Sequence, residues 1–97
     1  MSYTVVLLPK VYVDIRVARD YYASIRRALA DQFLEEVQTV FETLESMPTA
    51  YQKRYGDLRR VSVKRFPYSV VYYIQLPDVV VVTAVVHQHR PPESWTP

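Results

Sequence analysis

The chain has 97 residues, of which 49% are hydrophobic and 13% aromatic, with a formal net charge of +2. That is the length of one domain with enough apolar side chains for one core, and it excludes a disordered chain. Cysteine is absent, so a disulfide framework and a thiolate metal site are excluded, in keeping with a cytoplasmic location.

The N-terminal apolar run lacks a basic lead and stops at Pro9, too short for a signal peptide or a membrane span. The valine-rich run from Val79 to Val86, broken by Thr83, is also too short, and no membrane partner is expected. Charge is unevenly spread. Residues 1–50 carry five bases and seven acids, whereas residues 51–97 carry seven bases and three acids. Lys53, Arg54, Arg59, Arg60, Lys64 and Arg65 form the basic cluster. Such a cluster reads either as a surface for an anionic partner or as a strand edge guarded against aggregation.

In chain order, Tyr3 to Leu8 reads as a strand. From Val11 the apolar period changes. Val11, Ile15, Ala18, Tyr22, Ile25 and Leu29 recur at helical spacing, and Phe33, Val37, Val40, Leu44 and Met47 continue it to Pro48. One helix over residues 10–47 would be roughly 57 Å long at about 1.5 Å per residue, against a radius of gyration of about 13 Å for a domain of this size. A break between Ser24 and Asp31 is therefore expected, giving an antiparallel helix hairpin. Asp31 is the candidate cap of the second helix.

Residues 48–57 read as a loop. Gly56, the single glycine, is expected to hold a backbone shape that other residues resist. Leu58 to Phe66 alternates as a strand, with Val61 and Val63 on one face, Arg59 and Arg65 at its margins, and Arg60, Ser62 and Lys64 on the other face. Pro67 interrupts, Tyr68 to Gln75 forms the next strand, Pro77-Asp78 turns the chain, and Val79 to His87 forms the last. The tail from Arg90 to Trp95 reads as extended. The order is β-α-α-β-β-β. This predicts an α+β fold of two layers, a helix hairpin packed on one face of a mostly antiparallel sheet.

The run Val79, Val80, Val81, Val82 is apolar on both faces, where a sheet with one wet face would alternate. It reads as a central strand, or as a strand whose second face is covered by a partner segment. Nine tyrosines, Tyr72 and Tyr73 among them, suit a surface that is dry in one state and wet in another.

Several residue groups together carry a family resemblance: Asp14-Ile15, Tyr21-Tyr22, Phe33 to Val37, Arg59-Arg60, Phe66 to Tyr73, Val85-Val86-His87, and Arg90-Pro91 with Trp95. The chain resembles the ParE/RelE superfamily of toxins of type II toxin–antitoxin systems, most of all its ParE-like, plasmid-stabilisation branch. The resemblance implies a cytoplasmic toxin that a small antitoxin neutralises within a toxin–antitoxin hetero-oligomer. It also implies DNA gyrase as the target if the ParE pattern holds, or the ribosome and mRNA if the RelE pattern holds. A relative that binds antitoxin without toxicity is the third reading. No cofactor is expected.

The residues offer two site chemistries. A binding surface would use Arg59, Arg60, Lys64, Arg65, His87, His89, Arg90 and Trp95 against the target. The antitoxin would lie on Tyr72, Tyr73 and Val79 to Val82. A ribonuclease would need a base, an acid and positive charge near the phosphate, for which Arg60, Lys64, Arg65, His87 and Arg90 are the candidates. The strand from Leu58 to Phe66 offers no carboxylate as base, and no tyrosine follows Tyr73. His87 and His89 share a strand face without nearby acids in the sequence, so no metal site is expected.

Overall fold

The first strand ends where a proline begins a helix. A computed structural model describes residues 2–96 and shows β1 at Thr4–Leu7, followed by helix α1 at Pro9–Ile25. Pro9 is the first helical residue, a position where its missing N–H costs nothing. Helix α2 spans Arg27–Ser46, and one residue, Arg26, separates the two helices with extended backbone (φ −164°, ψ 133°). The break therefore falls inside the expected window. Asp31 does not cap α2, because that helix starts four residues earlier and Asp31 lies within it, exposed.

After a 3-10 turn at Pro48–Ala50 come β2 at Lys53–Tyr55, β3 at Leu58–Ser62, β4 at Tyr68–Gln75 and β5 at Val79–His87. The tail closes in a second 3-10 turn at Pro92–Trp95. Three expectations change. The loop over 48–57 contains a strand, which pairs with β3 through a two-residue turn at Gly56-Asp57. Gly56 there has φ +57°, the left-handed shape that mirror-image hairpin turns need. β3 ends at Ser62 instead of Phe66, because Arg65 takes φ 73° in the turn to β4. The tail is a turn packed on the sheet, not an extended segment. The Leu76–Pro77 peptide between β4 and β5 is cis.

The sheet order is β1-β5-β4-β3-β2, with β1 parallel to β5 and every other pair antiparallel. Both helices pack on one face. Phe33, Val37, Leu44, Val61, Val70, Tyr72, Val80, Val82 and Val85 form the main core between the layers. The Cα radius of gyration is 13.0 Å.

β5 is central, and both its faces are covered by the chain itself. A β-bulge explains the unbroken apolar pattern. Val71 pairs with Ala84 but Tyr72 pairs with Val82, leaving Thr83 as the extra residue. Before the bulge, Val80 and Val82 face the helices. After it, Val85 faces them, while Ala84 and Val86 join Leu58, Val71 and Trp95 in a smaller cluster on the outer face. The cover on that outer face is thus the C-terminal turn.

Candidate functional site

The outer cluster is built on Trp95, which is only 4% exposed. Thr83 donates its hydroxyl to the Trp95 carbonyl at 2.6 Å. The Arg60 guanidinium lies 5.7 Å from the indole centroid, and the Tyr55 ring meets the indole edge-on at 6.4 Å. Arg60 points to this face because its register partner is Val71. Its charge is spent partly on the indole. Trp95 is a packing residue of this fold rather than an exposed contact.

His87 ends β5 on the helix side of the sheet. Its ring stands edge-on to Tyr68, with centroids 5.5 Å apart, and tilts against His89 at 5.2 Å. His87 Nδ1 accepts the His89 backbone N–H at 3.3 Å. Two clefts meet at this ring. One, of about 390 Å³, is lined by Lys10, Asp14, Val17, Tyr68, His87, Arg90 and Ser94 among others. The second, of about 320 Å³, is lined by Tyr21, Tyr22, Ile25, Pro67, Tyr68 and His87. Burial raises the hydroxyl pKa of both Tyr22 and Tyr68, with Arg90 pulling Tyr68 the other way. Both tyrosines therefore stay neutral donors at physiological pH.

Asp14 is the residue that the charge pattern did not single out. Its carboxylate accepts the Val85 backbone N–H at 3.0 Å and the Lys10 ammonium at 2.9 Å. The signal was a carboxylate on the apolar face of the first helix, between Val11 and Ala18 at spacings of 3 and 4. Lys10, Val17, Tyr21 and Tyr68 also border the clefts without having been singled out as site residues.

The expected target-binding residues divide. His87, His89 and Arg90 gather at the end of β5. The β3–β4 turn carrying Lys64 and Arg65 abuts that end, since Gln88 donates its N–H to the Pro67 carbonyl at 2.8 Å. Arg60 and Trp95 lie on the outer face. Arg59 faces the helix layer and donates to the Tyr51 carbonyl. The ribonuclease set is split in the same way, with Arg60 on the outer face and His87 and Arg90 on the helix side.

The antitoxin surface read from Tyr72, Tyr73 and Val79 to Val82 needs correction. Tyr72, Val80 and Val82 are fully buried beneath the helices and offer nothing to a partner. Val81 is buried too, between its register neighbours Val6 and Tyr73. Val79 and Tyr73 remain half-buried. Exposed apolar side chains gather instead on α1, where Val13, Val17, Tyr21 and Ile25 form a stripe at every fourth position, while Val6, Leu34, Met47, Tyr55 and Leu76 are exposed on other elements. Ile25 was expected in the core, but it sits at the last residue of α1 and is exposed.

Among the described residues, no group of three or more histidine, cysteine or acidic side chains lies close enough to hold a metal ion. No helix among them is long and apolar enough to cross a membrane.

The sequence matches the family described as "ParE toxin of type II toxin-antitoxin system, parDE" over residues 5–92. No curated protein matches it. Among solved structures, the chain is similar to one described as "Chromosomal ParDE TA system from P. aeruginosa", with a TM-score of 0.77 at 11% identity, covering 89% of this chain and 96% of that one. At that identity the likeness shows the fold.

Proposed function

The chain belongs to the ParE toxin family of type II toxin–antitoxin systems, and on that premise we propose that it arrests bacterial growth by binding DNA gyrase in the cytoplasm until a cognate antitoxin neutralises it. Binding without chemistry is the favoured mode. The observation that carries it is that a candidate nuclease cation and the carboxylate beside His87 are already engaged. Arg60 stacks on Trp95, and Asp14, the acidic side chain among the described residues lining the cleft, is taken by Val85 and Lys10. The target surface is the basic end of the sheet, formed by Lys64, Arg65, His87, His89 and Arg90. Clustered cations speed encounter with an anionic surface and orient it.

The antitoxin surface we assign is the α1 stripe of Val13, Val17, Tyr21 and Ile25 with the adjoining clefts, in place of the buried residues of β5. An apolar stripe at helical spacing beside a groove suits an amphipathic partner segment.

A second reading has its own support. His87, Arg90, Lys10 and Tyr68 border one cleft, a grouping that offers cations and proton carriers to an RNA phosphate in a ribosome-dependent endoribonuclease. Protein-synthesis rate in a bacterial host, followed through the first minutes after this chain is induced alone, separates the two. Growth arrest with early synthesis continuing is the expected result. Immediate collapse of synthesis would favour the ribosome and overturn gyrase as the target.

A further inference from the structure

β1 is an edge strand, with β5 on one side and no strand on the other. Two bonds fix which way its backbone groups point. Thr4 donates its N–H to the Asp78 carbonyl at 2.9 Å, and Leu8 donates to the Val82 carbonyl at 3.1 Å. The N–H and C=O of one residue point to the same side of a strand, and the side alternates along it. Thr4, Val6 and Leu8 therefore serve β5, while Tyr3, Val5 and Leu7 point off the sheet. The Tyr3 N–H is taken by the Glu45 carbonyl at 2.7 Å. Val5 and Leu7 have no backbone partner on that side among the described residues.

A bare strand edge is a template for another chain, and most edges are guarded by charge, proline or a bulge. The opposite edge, β2, is guarded. It carries Lys53 and Arg54, and its register shifts between Lys53 and Tyr55. β1 reads Thr-Val-Val-Leu, with no charge, no proline and no register shift. Val6, at its middle, is 42% exposed on the outer face, and its row continues inward through Val81 to Tyr73. On the helix side Val5 and Leu7 pack on the main core and are only half-buried.

We propose that β1 pairs with the β1 of a second copy of this chain, antiparallel across a two-fold axis at Val6, so that two five-stranded sheets join into one. One register uses every outward group. Val5 of each copy lies opposite Leu7 of the other, and each such pair exchanges two bonds. Centring on Val5 instead would oppose Leu7 to Tyr3, whose N–H is spent on Glu45. Centring on Leu7 would oppose Val5 to Pro9, which has no N–H. In the chosen register Val6 meets its own counterpart. The Pro9–Lys10 end of one copy comes beside the Tyr3 end of the other, where α2 finishes at Glu45-Ser46. The positive end of α1 with Lys10 thus approaches the negative end of α2 with Glu45. An uncharged strand with opposite charges at its two ends is self-complementary, as a two-fold contact requires. The contact is short, below the roughly 1,200 Å² of stable interfaces, so dimerisation is expected at tens of micromolar.

The chain has no cysteine, so a single introduced one reports the register. Residues facing each other at a non-hydrogen-bonded position have Cα atoms about 4.5 Å apart, within the roughly 4.4–6.8 Å that a disulfide spans. Val6→Cys should cross-link to a covalent dimer when oxidised glutathione accepts the two electrons. Thr4→Cys, on the same face, would set its thiols roughly 13 Å apart and should cross-link about 10-fold more slowly or less. Equal rates, or no cross-linked dimer of Val6→Cys, would overturn the pairing. Sedimentation equilibrium gives an independent reading. Wild type should exchange between monomer and dimer, Val6→Lys should stay monomeric with an unchanged circular dichroism spectrum, and Val17→Lys should dimerise as wild type does. A wild type that is monomeric up to several hundred micromolar overturns the proposal. So does a dimer that Val17→Lys breaks and Val6→Lys does not, which would place the contact on the α1 stripe.

Discussion

The Asp14 carboxylate of α1 accepts the backbone N–H of Val85 in β5 at 3.0 Å, joining residues 71 positions apart in sequence. The bond satisfies a donor that β1 leaves behind, and it fixes α1 over the end of the sheet. Lys10, one helical turn away, shares the same oxygen at 2.9 Å.

Removing this acceptor should cost stability. Asp14→Ala is expected to lower the unfolding free energy by about 1–3 kcal/mol, because the Val85 donor is left without a partner. Asp14→Asn keeps an acceptor and should cost less. Lys10→Met removes only an ion pair whose ammonium is partly solvated, and should cost no more than about 1 kcal/mol. Urea denaturation of the three variants checks the ranking. Equal losses for Asp14→Ala and Lys10→Met would show that the carboxylate does not hold the sheet.

Tyr72 predicts an alkaline limit to stability. Its hydroxyl donates to the Pro48 carbonyl from full burial. Burial pushes its pKa up to about 12 from 10.0, against the opposing pull of Arg59. The folded state thus holds this proton at pH values where the unfolded chain releases it. The stabilisation is complete below pH 10 and is lost as pH rises from 10 towards 12. The melting temperature of wild type should fall across that window. Tyr72→Phe should fall less steeply there, while costing about 1 kcal/mol at neutral pH through the lost hydrogen bond. Parallel melting curves for the two proteins would contradict this.

Trp95 is the single tryptophan of the chain, so its fluorescence reports the C-terminal turn directly. The turn is held by the indole in the outer cluster and by the Thr83–Trp95 hydrogen bond. The indole Nε1 is buried and has no hydrogen-bond partner among the described residues, a cost that offsets part of the packing. Thr83→Val should shift Trp95 emission to longer wavelength while the helices stay intact by circular dichroism. Trp95→Ala should destabilise the fold by about 2–4 kcal/mol, towards the lower end of losses for buried aromatic residues. An unshifted spectrum in Thr83→Val would show that packing alone holds the turn.

The two left-handed residues should respond in opposite senses. A Cβ at Gly56 would meet nothing within 4 Å, so the cost of Gly56→Ala is conformational, about 1 kcal/mol. Arg65, at φ 73°, is a non-glycine residue in the same region. Arg65→Asn should raise stability by up to about 1 kcal/mol, since asparagine tolerates this backbone better. The same variant should weaken growth inhibition if Arg65 meets the target. Thermal melts and a growth assay read the two effects separately.

Much of this architecture was legible in the residues. The bounds of β4 and β5 coincide with those read from the turn at Pro77-Asp78 and the flanking apolar runs. The helix break at Arg26 was expected from length alone, because two helical periods could not fit one straight rod in so small a domain. Its position was not, since neither glycine nor proline marks it and Arg26 simply takes extended backbone. β2 was hidden because Lys53, Arg54 and Tyr55 are all exposed and carry no alternation of burial. The bulge at Thr83 was hidden for the opposite reason. A run of valines looks the same whichever face each one takes, so the switch of face between Val82 and Val85 left no trace in the pattern. That switch is why Val80 and Val82 are core residues. Of the site residues read from the sequence, His87 and Arg90 border the cleft beside α1, but the carboxylate and the α1 wall of that cleft come from a helix that the basic cluster does not point to.

The most direct measurement is the supercoiling rate of purified DNA gyrase with increasing amounts of this protein. The account predicts a dose-dependent loss of supercoiling that is relieved by prior addition of the cognate antitoxin. The loss should persist in His87→Ala and diminish when Lys64 and Arg90 are both changed to glutamate. Supercoiling at full rate in a large excess of well-folded protein would contradict gyrase as the target.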